Sequence, residues 1–151
     1  MSALRGWRGA SRRHAGPILT LSGGIALVAA ACFSGDPEDP MSPLPDECRD
    51  LAIAAGVNPD ASGVEVVGIQ GFAFKPAILS VPEGTEIVWV NCEPAGTPGS
   101  DHTSTSDGAL WDSPLLSRGD IYRRDFDDAG SFGYHCTPHP FMVGTVTVTE
   151  P

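Results

Sequence analysis

Basic residues are scarce beyond the start of this sequence. Four of the nine Lys and Arg residues (Arg5, Arg8, Arg12 and Arg13) precede Cys32, whereas all 19 acidic residues follow it. From Cys32 onward, 5 basic residues stand against 19 acidic ones, a net charge of −14 compared with −10 for the whole chain. Nucleic-acid binding needs a positive footprint, so nucleic acid is not expected as a partner. The acidic surface suits a basic protein partner or only keeps the protein soluble, and composition does not decide between the two.

Long hydrophobic runs are absent as well. The main apolar stretch, Ile18 to Ala31, is shorter than the ~20 residues that a membrane-spanning helix needs, and it follows a basic segment. This arrangement predicts a secretory signal over residues 1–31, and hence export to the periplasm or the cell surface. Arg12-Arg13 invites a twin-arginine interpretation, but the Phe-Leu pair expected shortly after it is missing.

The apolar stretch ends in Val28-Ala29-Ala30-Ala31-Cys32. Small residues directly before a Cys resemble a bacterial lipobox, in which the Cys is lipidated and becomes the mature N-terminus. We therefore predict a membrane anchor at Cys32, which also removes an exposed thiol from an oxidising compartment. Two or three acyl chains would hold the protein stably. The alternative is cleavage at an Ala-x-Ala site that leaves Cys32 incidental.

Two segments separate this signal from the main domain. Residues 32–45 hold four Pro among Ser, Gly, Asp and Glu, a composition that predicts an extended tether without a core. Residues 46–63 form an N-terminal extension. Within it, Asp46 to Val57 predicts a short helix with Asp46 as its cap and Gly56 at its end.

Short β-branched runs separated by turn signals occupy the rest of the chain. The clearest strands are Val64 to Ile69, Glu86 to Asn91 and the alternating Gly144 to Thr149. Two more strands flank a turn at Asp127–Gly130. This pattern predicts one domain over residues 64–151, an all-β Greek-key β-sandwich.

One short run concentrates the ligand chemistry of the chain. Cys136, His139 and Met142 supply a thiolate, an imidazole and a thioether within a single loop. Two His and one Cys with a weak axial Met describe a blue-copper electron-transfer site. Among only four His, His102 is assigned as the second imidazole. His14 lies in the signal, and His135 should point to the opposite face of its strand from Cys136.

The loop also resembles a known family. Cys136-Thr137-Pro138-His139-Pro140-Phe141-Met142 is similar to the ligand loop of the cupredoxins, in the short form seen in amicyanin. The resemblance covers residues 64–151 and extends upstream through Phe74-Lys75-Pro76, Val81 to Thr85, Trp89-Val90-Asn91, His102-Thr103, Trp111-Asp112-Ser113 and Phe126 to Gly130.

The resemblance to plastocyanin- and amicyanin-like proteins implies a cupredoxin fold with one type 1 copper ion. It implies His102, Cys136, His139 and Met142 as the copper ligands. It also implies an apolar surface, with Pro140 and Phe141, around an exposed edge of His139. Around the ligands, Asn91 or the backbone of Thr103 is expected to hydrogen-bond one of them.

Each of the four cysteines can be assigned a role. Cys32 is given to lipid and Cys136 to copper, which leaves Cys48 and Cys92 as a pair in an exported protein. Disulfides persist in such compartments, so we predict a Cys48–Cys92 disulfide. The alternative is two separately buried thiols.

These features predict a small exported protein that carries single electrons. Its partners would be redox proteins, such as a cytochrome c or a respiratory or dehydrogenase complex, which it binds transiently as a monomer. An enzyme is not expected, because a catalytic copper beside His135 would need further His ligands that the chain lacks. The alternative function is copper storage or delivery through the same ligands.

Overall fold

The computed structural model describes residues 42–150. The predicted signal, the lipidation site at Cys32 and most of the tether lie outside the described residues. The described elements, in chain order, are α1 (Asp46–Ala54), β1 (Val64–Ile69), β2 (Phe74–Lys75), β3 (Ile78–Pro82), β4 (Thr85–Asn91), β5 (Thr105–Ser106), β6 (Ile121–Phe126), β7 (Gly130–His135) and β8 (Val143–Thr149). Within residues 42–150, no helix has the length and apolar character needed to cross a membrane.

The eight strands form two four-stranded sheets packed face to face. One sheet has the order β2-β1-β4-β6 and the other the order β3-β8-β7-β5. The β1–β4 and β3–β8 pairs are parallel, and the remaining pairs are antiparallel. The all-β sandwich predicted from the strand pattern is confirmed. The candidate ligands lie at one end of it, where β7 runs into its following loop.

Aromatic side chains fill the space between the sheets. Trp89 on β4 contacts the rings of Trp111, Tyr122 and Tyr134, with centroids 5.5 to 6.0 Å apart. Successive strand residues face opposite sides, which directs Tyr134 into this core and leaves the next residue, His135, on the outer face. Burial raises the pKa of the Tyr134 hydroxyl, so this side chain stays neutral.

Helix α1 covers the outer face of the first sheet. Strand β4 is buried on both faces, because Val88 and Val90 pack under the helix while Ile87 and Trp89 face the core. This explains why the strand reads as a continuous apolar run rather than an alternating one. The N-terminal extension is therefore part of the packed domain.

The predicted end of helix α1 agrees with the structure, but its predicted cap does not. The expectation that Asp46 caps the helix is wrong: Asp46 is its first residue, and the capping position belongs to Pro45, which offers no side-chain hydrogen bond. At the other end, Gly56 has φ +81. The Gly56 and Val57 amides donate to the carbonyls of Ile53 and Ala52, both at 2.9 Å, which is the Schellman pattern.

A disulfide joins α1 to the end of β4. Cys48 and Cys92 are bonded, with Cα atoms 5.0 Å apart, which is the pairing that the assignment of the cysteines predicted. The helix approaches β1 so closely that a Cβ added at Gly68 would lie 2.5 Å from the Cys48 sulfur. The bond therefore fixes the extension directly beside the residues that follow β4, where the candidate site begins.

Candidate metal centre

Three predicted ligands meet at one end of the sandwich. Cys136 follows β7 directly, His139 lies in the loop after it, and His102 pairs with Leu116 in an isolated bridge. The Cys136 sulfur lies 3.5 Å from His102 Nδ1 and 3.6 Å from His139 Nδ1, and the two Nδ1 atoms are 3.2 Å apart. Cys136 and His102 are fully buried, and His139 is half-buried.

The geometry of these three donor atoms fits a trigonal metal site. Three atoms about 2.0–2.3 Å from a common centre, the range of metal bonds to imidazole and thiolate, would lie roughly 3.5–4 Å apart. The observed separations of 3.2 to 3.6 Å between the donor atoms are close to those expected distances. Two imidazoles and one thiolate in this arrangement are the equatorial set of a blue-copper site.

Met142 is placed in the same loop by backbone hydrogen bonds. The Cys136 amide donates to the Met142 carbonyl at 3.1 Å, and the Met142 amide donates to the His139 carbonyl at 2.8 Å. The His139 amide in turn donates to the Cys136 carbonyl at 3.1 Å. Met142 is buried in the hydrophobic cluster that contains Cys136, a position compatible with the predicted fourth ligand.

The backbone amide of Thr103 supports the cysteine. It donates to the Cys136 sulfur at 3.4 Å, and this is the hydrogen bond from Thr103 to a ligand that the sequence predicted. The Thr103 hydroxyl accepts a hydrogen bond from the Thr137 amide at 2.8 Å. These two bonds tie the loop of His102 to the loop of Cys136, and the first stabilises negative charge on the sulfur.

Asn91 supports the site less directly. Its side-chain amide donates to the carbonyls of Ser100 at 2.7 Å and Leu116 at 2.8 Å. The Leu116 carbonyl also accepts from the His102 amide at 3.0 Å. Asn91 therefore holds the backbone that carries His102, in place of the predicted hydrogen bond to a ligand side chain.

Glu93 is a site residue that the sequence did not reveal. Its side chain is almost fully buried, and Oε1 lies 3.3 Å from His102 Nε2, a contact outside hydrogen-bond geometry. Burial lowers the pKa of His102, and the Glu93 carboxylate opposes that shift. Because burial has the larger effect, His102 is neutral near pH 7 and has a free lone pair for a metal. A Glu after a strand looks like a surface residue, so no local signal identified it.

His135 lies away from the three donors, as predicted. Its side chain is 33% exposed, and Nδ1 lies 2.6 Å from Asp107 Oδ1. Within residues 42–150, the His, Cys, Asp and Glu side chains form one cluster able to hold a metal ion, which consists of His102, Cys136 and His139.

The surface around His139 is apolar. Phe141 is 71% exposed and its ring centroid lies 6.0 Å from that of His139. Pro138 and Pro140 on either side of His139 are also exposed. The histidine therefore emerges through a rim of apolar side chains.

Comparison with known proteins identifies a family to which this chain is similar. Residues 62–149 match the family of copper binding proteins described as plastocyanin/azurin. Amicyanin from Paracoccus denitrificans is 34% identical over 90 residues, which span 58% of this chain and 67% of that protein. A solved reduced amicyanin variant superposes with a TM-score of 0.54 at 33% identity, over 64% of this chain and 89% of that one.

A larger protein also contains this fold. The copper-containing nitrite reductase from Thermus scotoductus SA-01 superposes with a TM-score of 0.52 at 30% identity. The match covers 57% of this chain but only 22% of the reductase chain. The likeness therefore concerns one part of that enzyme.

Proposed function

Because this chain belongs to the plastocyanin/azurin family of copper-binding proteins, we propose that His102, Cys136 and His139 hold one type 1 copper ion for electron transfer. Copper is the cofactor of the family, and the protein is a small blue copper electron-transfer protein. The observation that supports this ligand assignment is the triangle of two Nδ1 atoms and one sulfur, 3.2 to 3.6 Å apart.

When bound, copper supplies a one-electron change between Cu(II) and Cu(I). The chain's residues keep the donor atoms in place during that change. Pro138 and Pro140 fix their own φ angles on both sides of His139, and the Thr103 amide stabilises the charge on the Cys136 sulfur. A donor set held in this way moves little between oxidation states.

Met142 is the residue that we propose as the fourth copper ligand, and Met142→Leu tests this role. Leucine keeps the buried volume but removes a thioether whose identity tunes the potential. We expect the variant to keep its copper and its colour while its reduction potential rises. A tenfold selective weakening of Cu(II) binding corresponds to a rise of about 59 mV. Protein-film voltammetry measures the shift, and a potential unchanged from wild type would remove Met142 from the ligand set.

Glu93→Gln tests the buried carboxylate beside His102. Removing its negative charge should disfavour Cu(II) more than Cu(I), which raises the potential. Loss of such an outer partner typically costs 10–100-fold in metal affinity, and we expect Cu(II) binding to weaken by about tenfold. Glu86→Gln is the matched control, because Glu86 pairs with Arg123 at the surface at 3.2 Å. Equal Cu(II) affinities for the two variants would contradict this role of Glu93.

The apolar rim of His139 is the proposed docking surface. Its exposed members, Pro138, Pro140 and Phe141, suit the small interfaces of transient redox encounters. The partners that we propose are a cytochrome c or a respiratory or dehydrogenase complex. The acidic surface would speed encounter with a basic partner at low salt, and the protein would act as a monomer.

We further propose that the protein is a carrier rather than an enzyme. The amicyanin relatives support this role, and the nitrite reductase match covers a minor part of that enzyme. His135 pairs with Asp107 instead of joining a second group of imidazoles. We also propose that residues 1–31 direct the export of the protein and that lipidated Cys32 anchors it to a membrane.

The amicyanin relatives do not favour the alternative, copper storage or delivery by the same ligands, and kinetics separates the two functions. We expect the reduced protein to transfer its electron to oxidised cytochrome c within milliseconds in stopped-flow mixing. Transfer of copper to a Cu(I) chelator should be slower by orders of magnitude. Fast copper transfer with slow electron transfer would favour delivery.

A further inference from the structure

Phe72 has an unusual backbone conformation. Its φ is +56, and Phe72 and Ala109 are the non-glycine residues with positive φ in residues 42–150. A bulky side chain is a genuine outlier in this region. Such a conformation persists where the surrounding structure over-determines it, and it is concentrated at functional sites.

The Glu93 carboxylate holds this conformation in place. The Phe72 amide donates to Oε1 at 2.6 Å, and the Gly71 amide donates to Oε2 at 3.0 Å. Hydrogen bonds to a buried carboxylate are the strong, charge-assisted kind. Glu93 is itself fixed, because its amide donates to Asn91 Oδ1 at 3.0 Å and Arg118 donates to its carbonyl. Both carboxylate oxygens are thus engaged in shaping the turn of Phe72.

The Phe72 ring is directed at both candidate histidine ligands. Its centroid lies 5.4 Å from that of His102 at an interplanar angle of 83°, and 5.0 Å from that of His139 at 87°. Edge-to-face packing of this kind is a favourable aromatic geometry. Phe141, by contrast, contacts His139 from the exposed side. One ring thus packs against both imidazoles, although they belong to separate loops.

We propose that Phe72 is a positioning residue of the copper centre, held by Glu93 so that its ring fixes the orientation of His102 and His139. This inference rests on the proposed function for the identity of the metal. The side chain contacts both histidine rings, and it limits the rotation of the imidazoles.

Removing the ring should loosen both histidines. In Phe72→Ala, the backbone still carries a Cβ at the same position, but the ring that packs against both imidazoles is lost. We expect the ring ¹⁵N signals of His102 and His139 in the metal-free protein to broaden through exchange, whereas wild type gives one sharp set. After loading with Cu(II) alone and reduction, copper loss to a chelator should be about tenfold faster, the scale of losing an outer partner.

Two further variants keep the test decisive. Phe132→Ala removes a half-buried ring that contacts Phe126, so it controls for the general loss of aromatic packing and should leave the histidine signals unchanged. Phe72→Leu preserves apolar bulk if the alanine variant does not fold, and its histidine signals should still broaden. Sharp wild-type-like histidine signals and a copper-loss rate within twofold of wild type in the folded Phe72 variant would overturn the proposal.

The same experiments separate this inference from the proposed function. A wild-type protein that binds Cu(II) without blue colour would contradict the blue-copper assignment. The histidine signals of the metal-free variants would still report whether Phe72 orders the two rings.

Discussion

Cys136→Ser should abolish the blue colour of the copper-loaded protein. The intense absorption of such a site depends on a bound thiolate, and a serine hydroxyl does not ionise under the same conditions. Cu(II) affinity should fall by more than about 100-fold, beyond the 10–100-fold typical of losing an outer partner. Optical titration with Cu(II) measures both effects in a single experiment.

The neighbouring residue provides a matched control for this substitution. Thr137→Ser lies in the same loop and keeps the backbone amide that donates to Thr103 Oγ1 at 2.8 Å. This variant should stay blue, with an affinity close to that of wild type. A Cys136→Ser protein that kept the band would show that the sulfur is not the ligand responsible for it.

Removing the Cys48–Cys92 disulfide should lower the free energy of unfolding more than any other substitution proposed for this protein. The bond closes a loop with a sequence separation of 44, for which the chain-entropy model gives about 4 kcal/mol. Helix α1 has 9 residues, shorter than the ~12–15 at which isolated helices become even marginally stable. In Cys48→Ser/Cys92→Ser, the helix should therefore separate readily from Val88 and Val90.

Urea unfolding of the metal-free double variant measures this loss, because bound copper would add its own stabilisation. Glu47→Gln is the control: it removes the ion pair with Arg118 at the surface of the same helix, and exposed pairs contribute about 0–1 kcal/mol. A double variant within about 1 kcal/mol of wild type would indicate that packing alone holds the extension.

The ligand loop and the strands were predictable because their signals are local. Cys136, His139 and Met142 lie within one short loop, so their spacing alone indicated a soft-metal site. Strand β1 runs from Val64 to Ile69 in the structure, as the sequence predicted. The position of His135 on the opposite face of its strand from Cys136 followed from strand alternation, which needs no tertiary information.

The support around the ligands was not predictable, because it depends on contacts across the fold. Three strands, β2, β3 and β4, lie between Phe72 and Glu93 in the chain, and nothing in either neighbourhood marks the two residues as partners. The positive φ of Phe72 follows from the position of a buried carboxylate, which propensity does not encode. Asp46 had the residue type of a helix cap, but the helix begins at it rather than after it.

The most direct test of the whole account is the optical and EPR spectrum of the wild-type protein loaded with Cu(II). Ligation by the Cys136 sulfur and the two Nδ1 atoms predicts an intense blue thiolate-to-copper band together with a small parallel hyperfine splitting. A pale protein with an ordinary wide splitting would mean that Cys136 does not ligate Cu(II), and would contradict the proposed electron-transfer site.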